Sequence, residues 1–230
     1  MELLKQIPEG LTFEYYNQEE YWERVAKGMD DILPAPKEAD IRALIHECYN
    51  EDSSLTVLDE VGLCYGKAII DLLLLDGIDF WGFEIKSGAD TLNRLPTQAT
   101  IYNKFFDYMV LVCDSKHLEE AELVIPPWWG LWLVKNQRGY VLEHYRAPTL
   151  NPDTDRSSMI TLLWKSELLK LLGLHTCFKN LRIRPKLYLS KLFRNSFTDK
   201  EIKSLVGQTL RERVEGGLWK SNNKNKHKMK

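Results

Sequence analysis

The sequence predicts an α/β protein: a core sheet with helices on its faces and a helical C-terminal extension. Three observations predict it. Between residues 37 and 113, β-type runs alternate with helical periodicities. Asp76-Gly77 lies between two of the β-type runs, a strong hairpin signal. After Asn151-Pro152-Asp153, helical patterns follow one another with no further strand between them.

Residues 1–36 carry few signals beyond the aromatics Phe13, Tyr15, Tyr16, Tyr21 and Trp22, expected to cover the core from one or two helices. Pro34-Ala35-Pro36 is a break. Residues 37–49 read as a helix with Ile41, Leu44, Ile45 and Cys48 on one face. Strands follow at 55–63, 67–75 and 79–86. Residues 90–107 read as mostly helical, with Leu92, Leu95, Ala99 and Tyr102 on the apolar side; Pro96 suits a first turn. The continuous apolar run 108–113 reads as a buried strand. A short helix at 117–123 and two strands at 131–135 and 140–145 complete the core. Residues 158–172 then read as one Leu-rich amphipathic helix stopped by Gly173. Residues 186–193 read as another. Thr198-Asp199-Lys200-Glu201 is a capping box opening a helix that Gly216-Gly217 ends. The expected organisation is an N-terminal segment 1–36, a core 37–150, a helical extension 151–218 and a disordered basic tail 219–230.

Composition excludes several classes. The chain has 230 residues, enough for one substantial domain with a small appendage. Its 44% apolar content is that of a globular chain. No apolar run reaches the roughly 18 residues of a membrane span, and Met1-Glu2-Leu3-Leu4-Lys5-Gln6 has no signal-peptide design. Cys48, Cys64, Cys113 and Cys177 lack zinc-ligand spacing and read as free thiols of a reducing, cytoplasmic compartment. The net charge of −2 hides an asymmetry: residues 179–230 carry 15 Lys/Arg and 4 Asp/Glu, a balance of +11, leaving −13 for residues 1–178. Such a basic part would bring a polyanion to an acidic one.

The chemistry points to the hairpin. Asp71 is a lone acid in Ala68-Ile69-Ile70-Asp71-Leu72-Leu73-Leu74-Leu75, costly there unless paired or metal-bound. Glu84-Ile85-Lys86 follows on the next run. A four-residue loop at Asp76–Asp79 sets Asp71 directly opposite Glu84; a two-residue loop at Asp76-Gly77 makes Glu84 its diagonal neighbour. Either register puts Asp71, Glu84 and Lys86 on one face, because strand side chains alternate. Two carboxylates, with the Ile85 carbonyl as a third ligand, could hold Mg²⁺ or Mn²⁺ through hard oxygen donors. Lys86 could orient or deprotonate a water, or stabilise developing charge. Glu-x-Lys is by itself very common, and its weight comes from the lone Asp71.

These residues resemble the PD-(D/E)XK nuclease superfamily, whose Asp…Glu-x-Lys core Asp71, Glu84, Ile85 and Lys86 match. Gln98-x-x-x-Tyr102 is similar to an element of its RecB-like branch. The run from Asp59-Glu60-Val61-Gly62 to His117, then Ile125-Pro126-Pro127-Trp128-Trp129-Gly130 and Leu162-Leu163-Trp164-Lys165-Ser166-Glu167-Leu168, resembles a family of small, mostly uncharacterised bacterial and phage proteins in that superfamily, over about residues 38–218. The resemblance implies a restriction-endonuclease-like mixed central sheet flanked by helices, and a magnesium- or manganese-dependent hydrolysis of nucleic acid, DNA by analogy, through in-line attack of an activated water. Asp71, Glu84 and Ile85 would be the metal ligands, with Lys86, Gln98 and Glu60 as further catalytic residues. Ile70 departs from the pattern, which has Arg there in the close family and often Pro in the superfamily; any phosphate contact assigned to that position falls with it.

Glu60 and Glu47 compete to complete the site. Gln98 would hydrogen-bond Lys86 or a phosphate. Arg94, Lys104, Arg182, Arg184 and Lys186 are candidate nucleic-acid contacts, although Arg94 could equally pair with Asp90 four residues earlier. Trp128-Trp129 suits a core edge better than base stacking, and His117 and His144 read as structural or solvated rather than catalytic. Some relatives act as dimers, so a homodimer stays open. Two other functions compete with a nuclease: a nucleic-acid-binding accessory that does not cut, and a scaffold binding a protein partner through its tryptophans.

Overall fold

Six strands form one mixed sheet in the order β1 to β6, flanked by helices. The computed structural model describes residues 35–49, 52–136, 139–175 and 180–219. Residues 1–34 of the N-terminal segment expected to provide helical cover, Cys177 and residues 220–230 of the basic tail lie outside the described residues. Contacts divide the chain into two units. One takes 83–96, 108–150 and the described residues of 1–53; the other takes 54–82, 97–107 and the described residues of 151–230.

In the first unit, helix α1 (Glu38–Tyr49) buries Ile41, Leu44 and Ile45, the face its periodicity predicts. The Arg42 guanidinium pairs with Glu38 one turn earlier at 2.6 Å. Strands β4 (Tyr108–Asp114) and β5 (Gly130–Asn136) pair in parallel, with Val110 beside Gly130 and Cys113 beside Leu133. Parallel strands need a crossover, and α3 (Leu118–Val124) supplies it. β6 (Tyr140–Arg146) returns antiparallel to β5, with an irregularity at Leu131–Trp132. Gly130 is required by close approach: a Cβ there would stand 2.8 Å from Pro148. Phe83 stacks edge-on to Trp132 at 5.5 Å and lies 5.7 Å from Tyr49, so its side of β3 (Asp79–Lys86) faces a packed aromatic core. Trp129 is fully buried and Trp128 half-buried, the core-edge role expected of the pair.

In the second unit, β1 (Thr56–Leu63) and β2 (Ala68–Asp76) are antiparallel, from Thr56–Leu75 to Leu63–Ala68. Gly77 (φ +53°) and Ile78 form the turn between β2 and β3, so the strands close at Asp76 and Asp79 rather than around Asp76-Gly77. Helix α2 covers only Leu95–Tyr102, shorter than the 90–107 expected. Pro96 sits in its first turn, and Asp90 is engaged upstream with Ser87 instead of extending a helix.

The Leu-rich stretch after residue 155 is not one helix. It forms α4 (Arg156–Met159), a 3₁₀ turn (Ile160–Leu162), an extended Leu163 and then α5 (Lys165–His175). Glu167 caps α5 by accepting from the Trp164 N–H at 2.5 Å. Gly173 lies inside α5 rather than stopping it. Helix α6 (Lys186–Ser196) buries Leu189 and Phe193. Helix α7 (Asp199–Glu215) opens on the expected capping box, with both reciprocal bonds between Thr198 and Glu201 in place, and Gly217 follows it at φ +65°. Arg213 on α7 grips Glu167, donates to the Leu162 carbonyl at 2.7 Å and stacks 4.1 Å over Trp164.

Candidate functional site

Strand alternation puts Glu84 and Lys86 on the face of β3 opposite Phe83 and Ile85. They meet there. Lys86 Nζ donates to Glu84 Oε1 at 2.5 Å, and the two residues are only 7% and 2% exposed. Ile85 is buried between them in sequence. The loop that follows is tightly tied. Asp90 Oδ2 accepts from the Ser87 N–H at 2.8 Å and the Ser87 hydroxyl at 2.6 Å. The buried His117 ring meets the Ser87 carbonyl at 3.1 Å, and Lys116 donates to the Gly88 carbonyl. His117 is thus structural, as expected. Partial burial pushes the Asp90 carboxyl up, but the Ser87 bonds and the charges of Lys86 and His117 outweigh it and hold it below the usual carboxylate range.

Glu47 is half-buried on α1 of the same unit, and burial raises its carboxyl. Arg94 is exposed just before α2. His144 stacks on Trp132 at 4.1 Å, and burial lowers its pKa, which favours a neutral ring. The Cys48 thiol is pushed up to about 11 by burial and by Glu47, and Cys113 to about 12 by burial and by Asp114, so both are weak nucleophiles.

The second unit holds Asp71 and Glu60. Asp71 is half-buried on β2 among Ile70, Leu72 and Leu73, all buried. The pairs Asp59–Leu72 and Val61–Ile70 set Glu60 across from Asp71 on the neighbouring strand. Like charges placed so are destabilising. Glu60 also holds φ +52°, a left-handed conformation that an L residue adopts at a cost. Gln98 and Tyr102 share one face of α2: Gln98 Nε2 donates to the Tyr102 hydroxyl at 3.1 Å, which donates to the Ile69 carbonyl at 2.8 Å. The Gln-x-x-x-Tyr element is thereby anchored to the strand that carries Asp71, two residues away. Gln98 Oε1 is buried without a hydrogen-bond partner among the described residues.

Of the candidate nucleic-acid contacts in this unit, Lys104, Arg182 and Arg184 are exposed. Lys186 is half-buried; it donates to the Thr161 carbonyl at 3.1 Å and lies 5.3 Å from the centre of the Tyr65 ring. Burial and the nearby Arg213 lower its pKa. Among the described residues, no group of three or more His, Cys, Asp or Glu side chains could hold a metal ion.

Residues 34–228 match the family described as Bacteriophage P4 protein cII. The chain belongs to that family. The matched span contains every candidate residue named above. No curated protein matches the chain. A solved structure, a protein of unknown function from Silicibacter pomeroyi, is 18% identical over 65% of this chain and 99% of its own, with a TM-score of 0.39. Among the described residues no helix is long and apolar enough to cross a membrane.

Two features of this family member escaped the sequence reading. Tyr65 stands exposed on a left-handed turn at Cys64-Tyr65-Gly66, for which the glycine was the available signal. Tyr188 lies 5.0 Å beneath the Arg184 guanidinium, an i,i+4 spacing that could have been read.

Proposed function

We propose that this protein is a metal-dependent nuclease of the PD-(D/E)XK type, hydrolysing phosphodiester bonds of nucleic acid, with DNA the first candidate. The observation that carries the reading is the buried Glu84–Lys86 pair. Removing two charges from water is expensive, and this pair is held almost fully out of it, two residues apart on one strand. Burial of this kind is what a reaction centre needs, because charges there interact strongly. Asp71 places a carboxylate in an apolar strand with Glu60 across from it on β1, and opposed carboxylates are relieved by a cation.

The donor set consists of carboxylate oxygens with a backbone carbonyl, which suits Mg²⁺ or Mn²⁺ rather than a softer metal. Such an ion would lower the pKa of a bound water and neutralise charge on the phosphate. Asp71 and Glu84 would hold it. Lys86 would hold a water in line with the phosphorus or stabilise the developing oxyanion, and the bonds of Asp90, His117 and Lys116 to residues 87 and 88 would keep the strand end that carries Lys86 in place.

The test is cleavage of circular single-stranded DNA, circular duplex DNA and RNA with Mg²⁺, Mn²⁺ or EDTA. Metal-dependent cutting that disappears in Asp71→Asn and Glu84→Gln is expected. If wild type cuts neither circular nor linear substrates, the nuclease reading is wrong. One observation favours a second reading, an accessory that binds nucleic acid without cutting: residues 180–198 carry five Lys/Arg and no acid, a surface that needs no metal to hold a polyanion.

A further inference from the structure

The second unit presents an exposed aromatic and basic surface that the cleavage chemistry does not use. Tyr65 is 62% exposed and Tyr188 42% exposed. A cation lies over each ring, Lys186 over Tyr65 at 5.3 Å and Arg184 over Tyr188 at 5.0 Å. Ile183 and Leu187, 78% and 61% exposed, extend the patch. Arg182, Arg184, Lys186, Lys191 and Arg194 fall within residues 180–198, which contain no Asp or Glu, although Arg194 pairs with Asp199 at 2.8 Å. The backbone at Cys64 and Tyr65 is left-handed, at φ +46° and +61°. Two successive non-glycine residues there are strained, and such strain persists where the surroundings enforce it, often at functional sites.

We propose that this surface, Tyr65 together with residues 181–196, docks single-stranded nucleic acid: Tyr65 and Tyr188 stack on unpaired bases while Arg182, Arg184 and Lys186 neutralise phosphates. Alternating rings and cations are what a single strand requires, since every base has a π-face and every linkage a charge. A duplex keeps its base faces stacked inside, where these rings cannot reach them. A lipid surface is a poorer occupant. An interfacial helix inserts its apolar face, whereas Leu189 and Phe193 of α6 are fully buried in the protein. An acid-free stretch with five cations complements a polyanion better than an ordinary protein surface. The proposal rests on the nucleic-acid part of the reading above and not on cleavage.

The experiment is fluorescence anisotropy of the full chain with a labelled single-stranded oligonucleotide and its duplex, in EDTA, over a salt series. Wild type should prefer the single strand. Tyr65→Ala and Tyr188→Ala should each weaken it by about 5- to 150-fold, the worth of one stacked base. Tyr65→Phe and Tyr188→Phe keep the ring and should stay within about twofold of wild type, which separates stacking from a folding defect. The double variant Arg182→Gln/Arg184→Gln should reduce the slope of log K against log salt by about 1.4, roughly 0.7 per lost single-strand phosphate contact. Alanine variants that bind like wild type, or equal affinity for duplex, would overturn the proposal. So would loss of binding to phosphatidylserine-containing vesicles in the tyrosine variants while the oligonucleotide is held normally. Cutting in Mg²⁺ with unaffected tyrosine variants removes the docking surface and leaves the nuclease. Tyrosine-dependent binding with no cutting does the reverse.

Discussion

Each unit of the molecule buries a carboxylate, and the two differ in where their bonded partners lie along the chain. Asp107, 1% exposed, accepts from the Phe80 N–H at 2.8 Å, from Arg156 at 2.5 Å and from Lys203 at 3.0 Å. Its first two partners stand 27 and 49 residues away, so the carboxylate joins β3, α4 and α7. Lys203 also reaches Asp79 at 2.7 Å. Glu84 instead pairs with Lys86, two residues along the same strand. A buried charge that gathers distant segments returns stability for its desolvation. A pair formed within one strand gains less by linking segments, because the chain already joins its two members. Depth of burial by itself therefore does not separate a structural charge from a functional one.

The sharpest way to break this comparison is to neutralise the local pair. Lys86→Met by itself removes the cation beside the buried Glu84 and should cost about 3–5 kcal/mol, whereas adding Glu84→Gln should restore the unfolding midpoint to the wild-type value or above it. The same double variant should lose metal-dependent cleavage by roughly a thousandfold, the scale of removing a charge-stabilising group from a reaction centre. Urea unfolding and cleavage rates are measured on one preparation. A double variant that stays destabilised would make the pair structural, and one that still cuts would remove it from the chemistry.

Asp107 should answer the other way. Asp107→Asn leaves Arg156 and Lys203 without their buried counter-charge and is expected to lose about 3–5 kcal/mol of stability. At temperatures where the variant remains folded, its cleavage rate should match wild type. A variant that loses activity while keeping its unfolding midpoint would contradict the assignment.

The same distinction explains what the sequence could show. The hairpin was legible because Asp76-Gly77 and the β-type runs on either side of it are local signals, and the α7 capping box is written within four residues. Pairing of Glu84 with Lys86 follows from strand period two. The break at Leu163 was not legible: it is held by Arg213, 51 residues away, on the Leu162 carbonyl, and a Leu-rich run looks helical without that partner. Gly173 read as a stop because glycine favours C′ positions, yet α5 continues to His175. On the candidate site, Glu60 was within reach as an acid near Asp71, but its left-handed backbone was not, nor was that of Tyr65, because no residue-type preference announces strain in a glutamate or a tyrosine. The networks of Asp107 and Arg213 need partners that only the folded chain brings together.

Asp90 supplies the smallest and most local test. Its carboxylate bonds only three residues back, to Ser87, and steadies the loop that follows Lys86. Its pKa in the folded chain lies below the value of about 3.9 in an unfolded one. The stabilisation is therefore present in full above about pH 4 and is lost as the pH falls through the folded value. Asp90 is largely open to solvent, so screening keeps the effect under about 1 kcal/mol. Asp90→Asn should lower the urea midpoint slightly at pH 7, and the gap from wild type should close on acidification toward pH 2.5. A gap that persists unchanged in acid would mean that the bonds to Ser87 do not need the charge. If cleavage also falls in Asp90→Asn at pH 7 while stability barely moves, the loop acts by positioning Lys86, which is how a local contact next to a reaction centre should differ from a long-range one in the core.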